Sequence, residues 1–151
     1  MKKCFALLAL LTTSLCTAYA APPNLTGEWK LNVSKSEFGP IPAPESATRS
    51  VKHTDPALEI TTHQKGQAGE TTTTLKYTTD GKVSENAHVQ AKGTAKWDGD
   101  KLVIDSVRNF QGTEVKLHDV WTLSADGKTL TVNSQLSVPQ GDFEIKWVFE
   151  K

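Results

Sequence analysis

The sequence predicts an all-β fold, an antiparallel up-and-down meander of about ten strands closed into a barrel. Past residue 20, turn signals recur about every ten residues, and the stretches between them alternate apolar and polar side chains, the pattern of strands with one buried face. All four tryptophans (Trp29, Trp97, Trp121 and Trp147) fall on the apolar phase of that alternation. No stretch sustains a helical period.

The first strand is read over residues 25–33, with Leu25, Gly27, Trp29, Leu31 and Val33 on one face and Glu28, Lys30 and Asn32 on the other. Pro40, Pro42 and Pro44 then remove backbone donors and hold the chain extended. Residues 34–46 are therefore read as an ordered proline-rich surface loop, or a lid over one end of the sheet. Segments 49–53 and 58–63 flank a turn at Asp55-Pro56, and 71–78 follows a loop holding Gly66 and Gly69. Asp80-Gly81 leads into a strand over 83–90, and 94–97 runs to a turn at Asp98-Gly99, where glycine accepts positive φ without strain. Segments 102–110, 114–123, 129–138 and 143–150 complete the series, parted by Gln111-Gly112, Asp126-Gly127 and Gln140-Gly141.

An open sheet of this many strands would leave two edges and one large apolar face exposed, so closure is the economical solution. The first and last strands are the natural partners for it, each carrying a tryptophan on its apolar face. Such a barrel is wider than an eight-stranded one, so an internal cavity is expected.

Residues 1–20 read as a secretory signal peptide: Lys2 and Lys3, an apolar run from Cys4 to Leu11, and small residues at Ala18-Tyr19-Ala20. That run falls short of the ~18 residues a spanning helix needs, and no later segment is apolar enough. A lipid anchor on Cys16 is disfavoured because Leu15 stands where a small residue is required. Cleavage after Ala20 would leave a mature chain, residues 21–151, with neither cysteine, and thus without a disulfide or a thiolate metal site. It is read as one domain, periplasmic or secreted and monomeric. Loss of Lys2 and Lys3 takes 17 basic and 17 acidic residues to a net of −2, a balance that favours neither nucleic acid nor an anionic membrane.

Gly27-Glu28-Trp29-Lys30-Leu31 resembles the strand that opens lipocalins and intracellular fatty-acid-binding proteins, both calycins. The similarity extends through the hairpin series to Lys151, and the stretches 95–104 and 121–132 are similar to lipocalin-like sequences from secreted bacterial proteins. What the resemblance implies is a barrel that holds a small hydrophobic or acidic amphiphilic molecule, with no cofactor. The proline-rich segment cannot form the two-helix lid of fatty-acid-binding proteins. No copy is found of the late arginine that packs over the opening tryptophan in lipocalins, since Arg49 and Arg108 are the only arginines.

If Leu102 and Ile104 point inward, alternation carries Ser106, Arg108 and Phe110 with them, and the next strand adds Val115, Leu117, Asp119, Trp121 and Leu123. Two readings of Arg108 and Asp119 stand: an anchor for a ligand's acidic head group, or a structural ion pair. Tyr77, Trp29 and Trp121 complete the candidate lining. Arg49 and His53 share the inward parity but are read as strand-end groups that reach water. The histidines, with Glu85 and Asp119, match no metal-binding, nucleophile or phosphate-loop motif, so no catalytic or metal-ligating residue is assigned. Beside ligand binding, two alternatives stay open: a structural or protein-interaction barrel with a filled core, and an isomerase or cyclase of the kind built on calycin barrels.

Overall fold

The computed structural model describes residues 20–151, and the signal-peptide reading lies almost wholly outside the described residues. The chain forms ten antiparallel strands in one sheet: β1 (Gly27–Leu31), β2 (Ser46–Thr54), β3 (Ala57–Gly66), β4 (Gly69–Thr78), β5 (Asp80–Asn86), β6 (Ala91–Asp98), β7 (Lys101–Phe110), β8 (Thr113–Leu123), β9 (Thr129–Val138) and β10 (Gly141–Glu150). Each strand pairs with its neighbour in sequence except β4 with β5, and β1 closes on β10, as the sequence predicted. No helix among the described residues is long and apolar enough to cross a membrane.

Closure has a second side, which the pattern did not show. The edges β4 and β5 share no ladder. Side chains replace the missing backbone pairs: the Lys76 amide donates to Asn86 Oδ1 at 2.8 Å, Asn86 Nδ2 donates to the Lys76 carbonyl at 3.1 Å, and the Thr78 amide donates to Ser84 Oγ at 3.2 Å. On its other side, the pairing of β5 with β6 shifts register between Asp80 and Val83. The barrel is nearly closed, with Asn86 as the staple across its seam.

The interior is solid at one end. Leu25, Trp29, Val51, Leu58, Ala95, Leu102, Trp121, Leu130, Val132 and Phe149 form one buried cluster there. Trp29 is wholly buried; its indole donates to the Leu25 carbonyl at 3.0 Å, and Lys151 Nζ stacks over its ring at 4.6 Å. A C-terminal cation does therefore cover the opening tryptophan, but it is a lysine in the last position. Below this end Asp55 accepts from Thr79 Oγ1 at 2.5 Å and from Trp97 Nε1 at 3.4 Å, which ties the β2–β3 turn to the far side of the barrel. His53, expected to reach water, is buried against Trp97 instead.

Three local readings are corrected. Val33 leaves the first strand for a single 3-10 turn, Val33–Lys35, because the Asn32 side chain accepts from the Lys35 amide and caps it. The strand predicted over 83–90 stops at Asn86; a 3-10 turn, Ala87–Val89, follows, with Gln90 left-handed at φ 50°. Phe110 is 62% exposed, because the β7–β8 hairpin runs past the rim of the barrel. The proline-rich segment is ordered: Glu37 bridges to Lys146 of β10, the Val148 amide donates to Ser36 Oγ, and Phe38 meets Trp147 edge-on at 5.1 Å.

Asn86→Ala removes the only side chain that satisfies both backbone groups of Lys76 at the seam. We expect a loss of about 1–3 kcal/mol of stability, the net worth of two part-buried hydrogen bonds, read from urea midpoints. Hydrogen exchange at the Lys76 amide should accelerate more than at amides in the β7–β8 ladder.

Candidate functional site

Above the packed end the barrel encloses a cavity of about 190 Å³. Its wall is built by strand alternation, which aims Arg49 from β2, Thr62 and Gln64 from β3, Thr71, Thr73 and Tyr77 from β4, Ser106 and Arg108 from β7, Asp119 and Trp121 from β8, Ser134 from β9 and Trp147 from β10 toward one space. The β3 and β4 side is a surface of hydroxyls, with Thr62 directly opposite Thr73. Ile60, Leu75, Ile104 and Leu117 supply the apolar share.

Arg49 sits where the packed end meets the cavity. Its backbone is opposite Trp29 on one side and Thr62 on the other. The guanidinium lies 4.9 Å from the Trp121 ring and 4.6 Å from the Phe149 ring, and among the described residues its only hydrogen bond runs from Nε to Thr62 Oγ1 at 3.3 Å. Burial lowers its pKa to about 10, against a counter-pull from Asp119, so it remains a cation at neutral pH. Expecting this residue at a water-washed strand end was wrong. β2 begins at Ser46, earlier than the sequence indicated, and carries Arg49 inside.

Asp119 faces Ile104 on one side and Ser134 on the other. Burial raises its carboxyl above the ordinary value, opposed by the facing Ser134 hydroxyl and then by the positive charges of Arg49, Arg108 and His118. Its Oδ1, like Nε1 of Trp121, has no hydrogen-bond partner among the described residues. Burial likewise raises the Tyr77 phenol, against a pull from Ser106. His118 points out of the barrel, where its ring meets Asp105 at 2.6 Å.

Of the candidate lining residues, Arg108, Asp119, Tyr77, Trp121 and Ser106 meet at this cavity, and Trp29 does not: it belongs to the packed end. Arg108 lines the mouth and is exposed. Neither Arg49 nor Arg108 pairs with Asp119 among the described residues. For Arg108 the reason is register: it stands opposite Val115, whereas Asp119 stands opposite Ile104. The structural ion pair weighed for Arg108 is thus not formed.

A buried carboxyl with a raised pKa binds its proton more tightly folded than unfolded, so stability falls as pH rises from the ordinary 3.8 through the folded value. The groups facing Asp119 across this range are Arg49, Arg108, Tyr77 and Ser134. Asp119→Asn cannot ionise. Its stability relative to wild type should improve as pH rises from about 3.8 to 8, and urea midpoints that keep a constant gap across that range would refute the assignment.

No protein-family model matches the chain, and no curated protein matches it either. Solved structures do. The chain is similar to zebrafish ileal bile acid-binding protein in complex with cholic acid, with 20% identity over 84% of this chain and 98% of that one and a TM-score of 0.57. It is similar to a fatty acid transporter designated REP1-NXSQ, with 16% identity over 84% and 95% and a TM-score of 0.58. It is also similar to secretory abundant heat soluble protein 4 of Ramazzottius varieornatus, with 14% identity over 84% and 94% and a TM-score of 0.51. At these identities the likeness establishes the fold alone, a ten-stranded antiparallel up-and-down barrel.

Proposed function

We propose that the protein reversibly binds a small organic acid with an apolar body, the acid held by Arg49 and the body set against Trp121, Trp147, Ile104 and Leu117. The observation that carries this reading is the half-buried Arg49 guanidinium, held against the Trp121 and Phe149 rings at the cavity wall with one hydrogen bond made. A carboxylate would complete its donors by paired charge-assisted bonds. The volume of about 190 Å³ is below the ~300 Å³ at which sites for drug-sized ligands begin, so the ligand is small. Two of the structural neighbours are named for a bile acid and for fatty acids, which agrees with an acid in such a barrel.

3-Phenylpropionate and 3-phenylpropanol test it, since they differ only in the acid. The acid should bind one saturable site and change tryptophan emission. Arg49→Leu should weaken the acid by about 1.5–3 kcal/mol, the scale of a charged hydrogen bond, and leave the alcohol nearly unchanged. Arg108→Leu should cost less, because Arg108 is exposed. If folded protein binds neither these nor any other small acid, the barrel is a structural or protein-interaction domain.

We further propose that the protein works outside the cytoplasm, on the strength of the charged, apolar and small-residue pattern of residues 1–20. N-terminal sequencing of the protein from its own host should begin at Ala21. A chain that keeps Met1 would refute it.

A further inference from the structure

We infer that the ligand is an acid that also carries a hydrogen-bond donor beside its acid group, a hydroxy acid or an amino acid, and that Asp119 is the residue that selects for the donor. This rests on the reading of Arg49 as the acid's anchor. It adds a second requirement, drawn from a different side chain.

Arg49 and Asp119 face the same small cavity without pairing with each other, although burial would favour a pair. The Arg49 guanidinium lies over the ring of Trp121, which is two residues beyond Asp119 on the same face of β8, so the cation and the carboxyl border one subsite. Asp119 Oδ1 lacks a partner, and Ser134 is the only hydroxyl directly across from the residue. A buried carboxyl left in this state demands a donor. A plain alkyl or aryl acid would satisfy Arg49 and press an apolar carbon against Asp119. An acid with a hydroxyl or ammonium on the adjacent carbon satisfies both groups at once. The hydroxyl-rich wall of Thr62, Thr71 and Thr73 suits such a polar head better than it suits a hydrocarbon tail.

The test uses three probes on one skeleton: 3-phenylpropionate, 3-phenyllactate and phenylalanine, repeated with indolyl and hexyl bodies, titrated by calorimetry at neutral pH. A donor-bearing acid should bind at least roughly tenfold tighter than its plain counterpart. Asp119→Leu should erase that preference without weakening the plain acid. Asp119→Asn, which keeps polar groups but not the charge, separates the two donors: a hydroxy-acid preference should survive in it, and an amino-acid preference should be lost. Unfolding midpoints establish that each variant is folded, and Asp119→Ala, which also removes the acceptor and should erase either preference, takes the place of Asp119→Leu should that variant fail to fold. Equal binding of plain and donor-bearing acids, or a preference indifferent to both substitutions, overturns the role given to Asp119 while leaving Arg49 in place. Binding of none of the probes by folded protein overturns both.

Discussion

Ten strands enclose more space than their inward side chains fill, and the rest of the structure follows from how that surplus is disposed of. It is not spread evenly. The two indoles of Trp29 and Trp121, with Phe149 and the leucines around them, are concentrated at one end and make a solid core. The opposite half receives threonines, serines and glutamine at the same inward parity, whose smaller or polar side chains do not close over the axis. A barrel packed at both ends would have been more stable, since each further buried apolar side chain contributes about 1.5–3 kcal/mol. The asymmetry gives the molecule a floor, and the two buried charged residues stand on it.

Most of this was legible in the sequence as direction and little of it as depth. Period-two alternation states which face a side chain takes, and it placed Tyr77, Ser106, Asp119 and Trp121 inward. It does not state how far along the barrel axis a residue lies, because that depends on where each strand begins and how it is staggered against its neighbour. Arg108 and Trp29 were equal candidates by parity, yet one stands at the mouth and the other in the packed end. Arg49 shows the same limit from the other direction: the loop before it seemed to leave a short strand, whereas β2 starts soon after the last proline and runs nine residues. The seam at β4 and β5 had no sequence signal at all, since Asn86 and Ser84 read as ordinary polar positions and only the folded barrel sets them against the open backbone of β4.

Stability alone does not account for the charges inside. A guanidinium against two aromatic rings recovers part of its lost hydration through the rings' negative faces, and its Nε bond to Thr62 recovers a little more. Burial still lowers the pKa of Arg49 and raises that of Asp119, which means that each charge is disfavoured where it stands. A leucine at either position would avoid that desolvation cost.

The fold by itself leaves the choice of function open, because barrels of this shape include proteins named for bile acid, for fatty acid and for heat solubility at comparable distance from this chain. The decision therefore has to come from the interior. A domain that needed only to be a soluble, robust barrel gains nothing from a cation and a carboxyl set on the floor of a cavity, unpaired with each other and short of partners. A domain that captures a polar molecule needs such groups to be held ready before it arrives, so that ordering them does not detract from binding. The rigid strands on both sides of Arg49 and Asp119, rather than the loops at the mouth, do the holding, and the site is formed by the same ladders that form the fold.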